Sequence, residues 1–140
     1  MKNKKILITG GAGFIGSKLA TKLVHLGHKI TVIDILKFDT SSLNHLFFYK
    51  NFSFVRGDVR NRFLMKKLLN KNDIIIPLAA LVGAPLCEKN KKEAKETNLD
   101  SIKMIVDSLK KSQKIIYLNS NSGYGIGEKK SYCNEESPLR

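Results

Sequence analysis

Short apolar runs alternate with longer amphipathic stretches along this chain. Lys5-Ile6-Leu7-Ile8-Thr9 is stopped by Gly10 and Gly11, the pattern of a strand buried on both faces. From Phe14 to Leu26 apolar residues recur at helical spacing (Ile15, Leu19, Ala20, Leu23, Val24, Leu26), and Gly27 supplies a C-terminal stop. Lys29 to Ile35 is rich in β-branched residues and predicts a second strand. Residues 40–49 offer at most a short helix. Residues 51–56 predict strand three, and 61–69 a helix with Phe63, Leu64, Leu68 and Leu69 on one side. Asp73 to Leu78 predicts strand four, with Pro77 near its end. A charged stretch, Glu88 to Glu96, leads into a helix carried by Leu99, Ile102, Ile105, Val106 and Leu109. Lys114 to Leu118 predicts strand five, and the chain from Asn119 onward reads as loop.

Five strands joined by helical connections imply parallel pairing, because parallel neighbours need long crossovers. Right-handed crossovers then give an α/β, Rossmann-type doubly wound sheet of order 3-2-1-4-5. Residues 1–140 form one such domain. A ligand is expected where the winding reverses, at the carboxyl ends of strands one and four.

Composition narrows the function classes. The longest charge-free apolar run, Ile74 to Cys87, contains Pro77 and Pro85 and falls short of the roughly 20 residues of a membrane span. The apolar run after Lys2, Lys4 and Lys5 is too short for a signal peptide. Cys87 and Cys133 lie far apart with no metal-ligand spacing, which fits a reducing, cytoplasmic setting. The formal charge is +13, but only four of the 25 basic residues are arginine, and none forms a cluster longer than a pair. With no aromatic interleaving, this reads as a lysine-rich solvated surface and not as a nucleic-acid or membrane partner site.

The candidate chemistry sits in Thr9-Gly10-Gly11-Ala12-Gly13-Phe14-Ile15-Gly16, between a predicted strand and a predicted helix. Gly10 allows a tight turn, Gly13 lets backbone approach a pyrophosphate, and Gly16 lets the helix pack closely. The N-terminus of that helix offers N–H groups and a positive dipole end to phosphates. Asp34 ends strand two, 18 positions after Gly16. Its carboxylate can accept both adenosine-ribose hydroxyls and would repel a 2′-phosphate. Two like charges about 4 Å apart cost roughly 4 kcal/mol at an effective dielectric near 20. NAD is therefore favoured over NADP, with Lys37 close enough in sequence to soften the preference.

On these residues the chain resembles the extended short-chain dehydrogenase/reductases, in particular the NAD-dependent epimerase/dehydratases that act on nucleotide sugars. The TGGAGFIG stretch, with Phe14 and Ile15 between its last glycines, matches their phosphate loop. Gly57-Asp58-Val59 matches the segment whose Asp and following residue contact adenine. Leu78-Ala79-Ala80 matches a segment whose backbone lies along the cofactor, and Asn98 matches an Asn that supports the site. Asn119 to Gly125 matches a Ser/Thr-rich segment ending in Tyr-Gly. The resemblance implies that Ser120 orients the reacting oxygen and that Ser122 and Tyr124 contact substrate.

Two departures accompany the resemblance. Pro77 stands where the family has His. The family's catalytic Tyr-x-x-x-Lys is absent, since Tyr124 and Tyr132 are followed at that spacing by Glu128 and Glu136. In the family the Tyr hydroxyl moves the substrate proton while hydride moves to or from nicotinamide, and the Lys lowers the Tyr pKa. The resemblance thus implies the cofactor half of a nucleotide-sugar enzyme, inactive alone, with a non-catalytic NAD-binding module as the alternative. A family helix beside strand five is also expected to be missing, leaving an exposed apolar patch and a tendency to homo-oligomerise. His25 and His28 have no third ligand nearby, so no metal site is expected, and Cys87 reads as loop packing.

Overall fold

The structure, a computed structural model, describes residues 3–38, 41–124, 134, 136 and 137. Strands β1 (Lys5–Thr9), β2 (Lys29–Asp34), β3 (Phe52–Arg56), β4 (Ile74–Pro77) and β5 (Lys114–Ile115) pair in parallel in the order β3-β2-β1-β4-β5, as the sequence predicts. Alternation along the strands sends side chains to opposite faces. Ile6, Ile8, Ile30, Val32 and Ile76 pack with Ala20 and Val24 of helix α1 (Phe14–His25). Leu7, Ile33 and Ile75 face the other way, against Met65, Leu68 and Leu69 of α2 (Arg62–Leu69) and Met104 and Ile105 of the helix ending at Asp107. The sheet is thus covered on both faces. Each of the fully buried Leu7, Ile8, Ile33 and Ile75 contributes roughly 1.5–3 kcal/mol.

The helices turn different faces inward from those the apolar spacing suggests. In α1 the buried stripe is Gly16, Ala20 and Val24, residues four apart and small enough for close approach to the sheet. Leu19 and Leu23 only flank it, and Ile15 and Leu26 face outward. In α2, Met65 takes the buried place that the spacing gives to Phe63; Phe63 is 82% exposed. Asn61 caps this helix, its Oδ1 accepting from the Leu64 N–H at 3.0 Å. The charged stretch is helical: α3 (Ala84–Lys89) and α4 (Lys91–Lys95) run into a π-helical turn (Glu96–Asp100) and then α5 (Ser101–Asp107). A π turn holds an extra residue, which rotates the helix on its N-terminal side relative to the helix on its C-terminal side. That is why Leu99 is nearly half exposed while Thr97 is buried. Cys87 is accordingly in a helix, not a loop. Of residues 41–49, Asn44–Leu46 form a single 3-10 turn.

Strand β5 is shorter than the Lys114–Leu118 run, for a reason visible in its partner. The Ile116 N–H still donates to the Ile75 carbonyl at 2.9 Å. By alternation the next ladder bond needs an N–H from residue 77, and Pro77 has none. Pairing stops there, and Ile116, Tyr117 and Leu118 stand about half exposed, the last two lining a cleft. Among the described residues no helix is long and apolar enough to cross a membrane.

Candidate cofactor and active site

Strand β1 places Thr9 at the point where the winding reverses. Its fully buried hydroxyl accepts from the Leu78 and Ala79 N–H groups at 3.2 Å each, and its carbonyl accepts from Leu78 at 3.0 Å. The ends of β1 and β4 are thereby fastened together. The chain then turns at Gly10, whose φ of +66° favours glycine; a Cβ there would also meet the Ala79 backbone at 2.6 Å. Gly16 opens α1 so close to the loop that a Cβ would stand 2.5 Å from the Gly10 carbonyl. At Gly13 a Cβ would stand 3.2 Å from the same carbonyl, a tight contact and the one neighbour within 4 Å among the described residues. No side chain caps α1, and its first turn holds no acidic residue. Its leading N–H groups therefore lie open to an anion.

Asp34 fixes the other side of the loop. Its Oδ2 accepts from the Ala12 N–H at 3.0 Å and its Oδ1 from the Leu36 N–H at 2.8 Å. The second bond bends the chain so that Leu36 takes a left-handed φ of +58°, a conformation that costs a non-glycine residue about 1 kcal/mol or more. The Ser42 hydroxyl donates to the Ala12 carbonyl at 2.8 Å. Each Asp34 oxygen keeps a further lone pair for a ligand hydroxyl.

The glycine loop, Asp34, Asp58, Val59 and Leu78 to Leu81 line one cleft of about 770 Å³. Phe14 and Ile15, outward-facing in the helix pattern, lie on its wall, and Ser120 at its far end. Asp58 is gripped by Arg60, whose Nε and Nη2 donate to its carboxylate at 2.6–3.0 Å. These bonds hold the Asp58 carboxyl below its ordinary range, against the opposing effect of burial. Arg60 also reaches Glu96 at 3.1 Å. Lys37 crosses the cleft to Glu93, 2.9 Å away. Asn98 turns its amide onto the Leu81 backbone, with one 2.8 Å bond to the N–H and one to the carbonyl. Its observed partner is thus the chain just after Ala80.

Other candidate residues have different surroundings. Asn121–Tyr124 form a 3-10 turn in which Tyr124 is partly buried; the side chain of Ser122, like residues 132 and 133, lies outside the described part. The His25 ring bonds to the Tyr49 hydroxyl at 2.9 Å, and His28 Nδ1 accepts from the Lys4 N–H at 3.2 Å, so the two histidines do not converge. Cys87 Sγ packs against the Leu81 carbonyl. Sequence reasoning missed Thr9, Ser42 and the partners of Lys37 and Arg60. Only Thr9 carried a signal, as the polar residue ending an otherwise apolar strand.

Comparison with known proteins agrees with this geometry. The chain is 35% identical over 125 residues to a UDP-N-acetyl-alpha-D-glucosaminuronate decarboxylase of Bacillus cytotoxicus, covering 89% of this chain and 39% of that protein. It is 31% identical over 146 residues to a UDP-glucose 4-epimerase of Neisseria meningitidis, covering 96% and 42%. A dTDP-glucose 4,6-dehydratase of Bacillus anthracis, solved in complex with NAD, superposes with a TM-score of 0.83 at 26% identity, covering 98% and 44%. The chain thus spans about two fifths of the length of the proteins it matches. The model of the NAD dependent epimerase/dehydratase family matches residues 6–140, and the chain belongs to that family.

Proposed function

We propose that this chain is the cofactor-binding part of an NAD-dependent epimerase or dehydratase acting on a nucleotide sugar. One observation carries the reading: an uncapped helix N-terminus and the Asp34 carboxylate open onto the same cleft at the switch point. NAD, when bound, would supply the hydride acceptor and donor for the sugar. The Gly13 backbone and the first turn of α1 hold the pyrophosphate, and Asp34 receives the adenosine-ribose hydroxyls. Asp58 and Val59 flank the adenine, while Leu78, Ala79 and Ala80 lay backbone along the nicotinamide half. Asn98 acts through Leu81, holding that stretch in place. Ser120 orients the reacting oxygen, with Ser122 and Tyr124 toward the sugar. The Tyr-x-x-x-Lys pair of the family is not found in residues 1–140.

Calorimetric titration with NAD tests the reading beside an Asp34→Ala variant. Saturable binding, weakened at least about tenfold by loss of charge-assisted hydrogen bonds, is expected. Absence of binding by the folded protein would overturn it.

A further inference from the structure

We infer that Glu93 sets the dinucleotide preference of this cleft, by holding Lys37 where it cannot serve a 2′-phosphate. The inference rests on the reading of the cleft as an NAD site. Asp34 alone makes a poor neighbour for a 2′-phosphate, but Lys37, three residues on, carries the charge that could compensate. Its ammonium is engaged instead. The bend at Leu36, tied by the Leu36 N–H to Asp34 and by packing of the Leu36 side chain on the core, leads into Lys37. From there Lys37 Nζ donates to both oxygens of Glu93, at 2.9 and 3.1 Å, across 56 residues of sequence. The Lys37 and Glu93 side chains are 36% and 26% exposed.

Among the described residues that line the cleft, Arg60 is the other cation. Arg60 is held by Asp58 and Glu96. Lys92, almost fully exposed, stands 4.0 Å from Glu96. Among the described residues lining the cleft, the charged groups are Asp34, Asp58 and Glu93 with Lys37 and Arg60. In a protein of formal charge +13 this end of the cleft carries an excess of carboxylates. A ligand bearing two further negative charges at Asp34 meets net repulsion, while one bearing ribose hydroxyls meets acceptors. Neutralising Glu93 frees Lys37 and leaves the pairs of Arg60 in place.

The test is calorimetry with NAD and with NADP on the protein and on Glu93→Gln, Lys37→Met and the double variant. Glu93→Gln is expected to tighten NADP about tenfold and to leave NAD within about twofold. Lys37→Met, which leaves Glu93 unpaired, is expected to weaken NADP further, and the double variant to lose the gain of Glu93→Gln. NADP affinity unmoved in Glu93→Gln while NAD binds normally would overturn the inference alone. So would a gain that survives removal of Lys37. If the unsubstituted protein binds neither dinucleotide, the reading of the cleft fails and the inference with it.

Discussion

At the Gly10 end of the cleft, β1 and β4 are tied by a buried hydroxyl, a left-handed glycine and a helix packed to backbone contact. At the Ser120 end, β5 is two residues long, and Ile116 to Leu118 stand about half exposed. The first end tolerates almost no added atom; the second is fixed by far less burial. The difference teaches that the groove for a dinucleotide is built into the sheet, where the core itself holds it. The Ser120 end relies on chain beyond β5, whose sheet pairing Pro77 cuts short.

The contrast can be broken most severely at Gly10. Gly10→Ala adds an unfavourable φ to a 2.6 Å clash with the Ala79 backbone. We expect a loss of about 2–4 kcal/mol in denaturant unfolding, and of NAD binding with it. Thr9→Val comes next. It keeps the shape but leaves the part-buried Ala79 N–H without its acceptor, for about 1 kcal/mol by the same measurement.

Arg60→Met should act more weakly and with a pH signature. In the folded protein the hydrogen bonds from Arg60 hold the Asp58 carboxyl below its ordinary value of 3.8. A depressed carboxyl stabilises above its unfolded pKa, and that contribution is lost as pH falls through the folded value. The stability gap between the protein and Arg60→Met should therefore be constant near neutrality and close below about pH 4. For a pair this exposed the gap should stay under about 1 kcal/mol. Ser120→Ala sharpens the comparison by its smallness. Stability should move by no more than about 0.5 kcal/mol and NAD affinity by less than about twofold.

The parts of this architecture that sequence reveals are those dictated by local periodicity. The strands were legible because apolar runs bounded by glycine have few other uses, and strand order came from crossover length. The glycine loop and Asp34 were legible because their chemistry needs fixed spacing from a strand end. The inward faces of the helices were less so. Gly16 lets α1 approach until Gly16, Ala20 and Val24 form the contact, and a hydrophobicity pattern gives glycine no weight. The π turn before Ser101 breaks the single period that Leu99 and Ile102 suggest. The early end of β5 needed the register that sets Pro77 opposite the edge strand. The pairs Lys37–Glu93 and Arg60–Glu96 join residues far apart in sequence, so no local pattern announces them.

The central claim is that the groove at the switch point of the sheet holds NAD. Backbone amide NMR during NAD titration tests it residue by residue. The account predicts saturable shifts at Gly10 to Gly16, Asp34 to Lys37, Asp58 to Val59 and Leu78 to Leu81, with α2 and the buried end of α5 quiet. Saturable shifts confined to the outer face of α1 around Lys18 and Lys22, with the glycine loop unmoved, would contradict it.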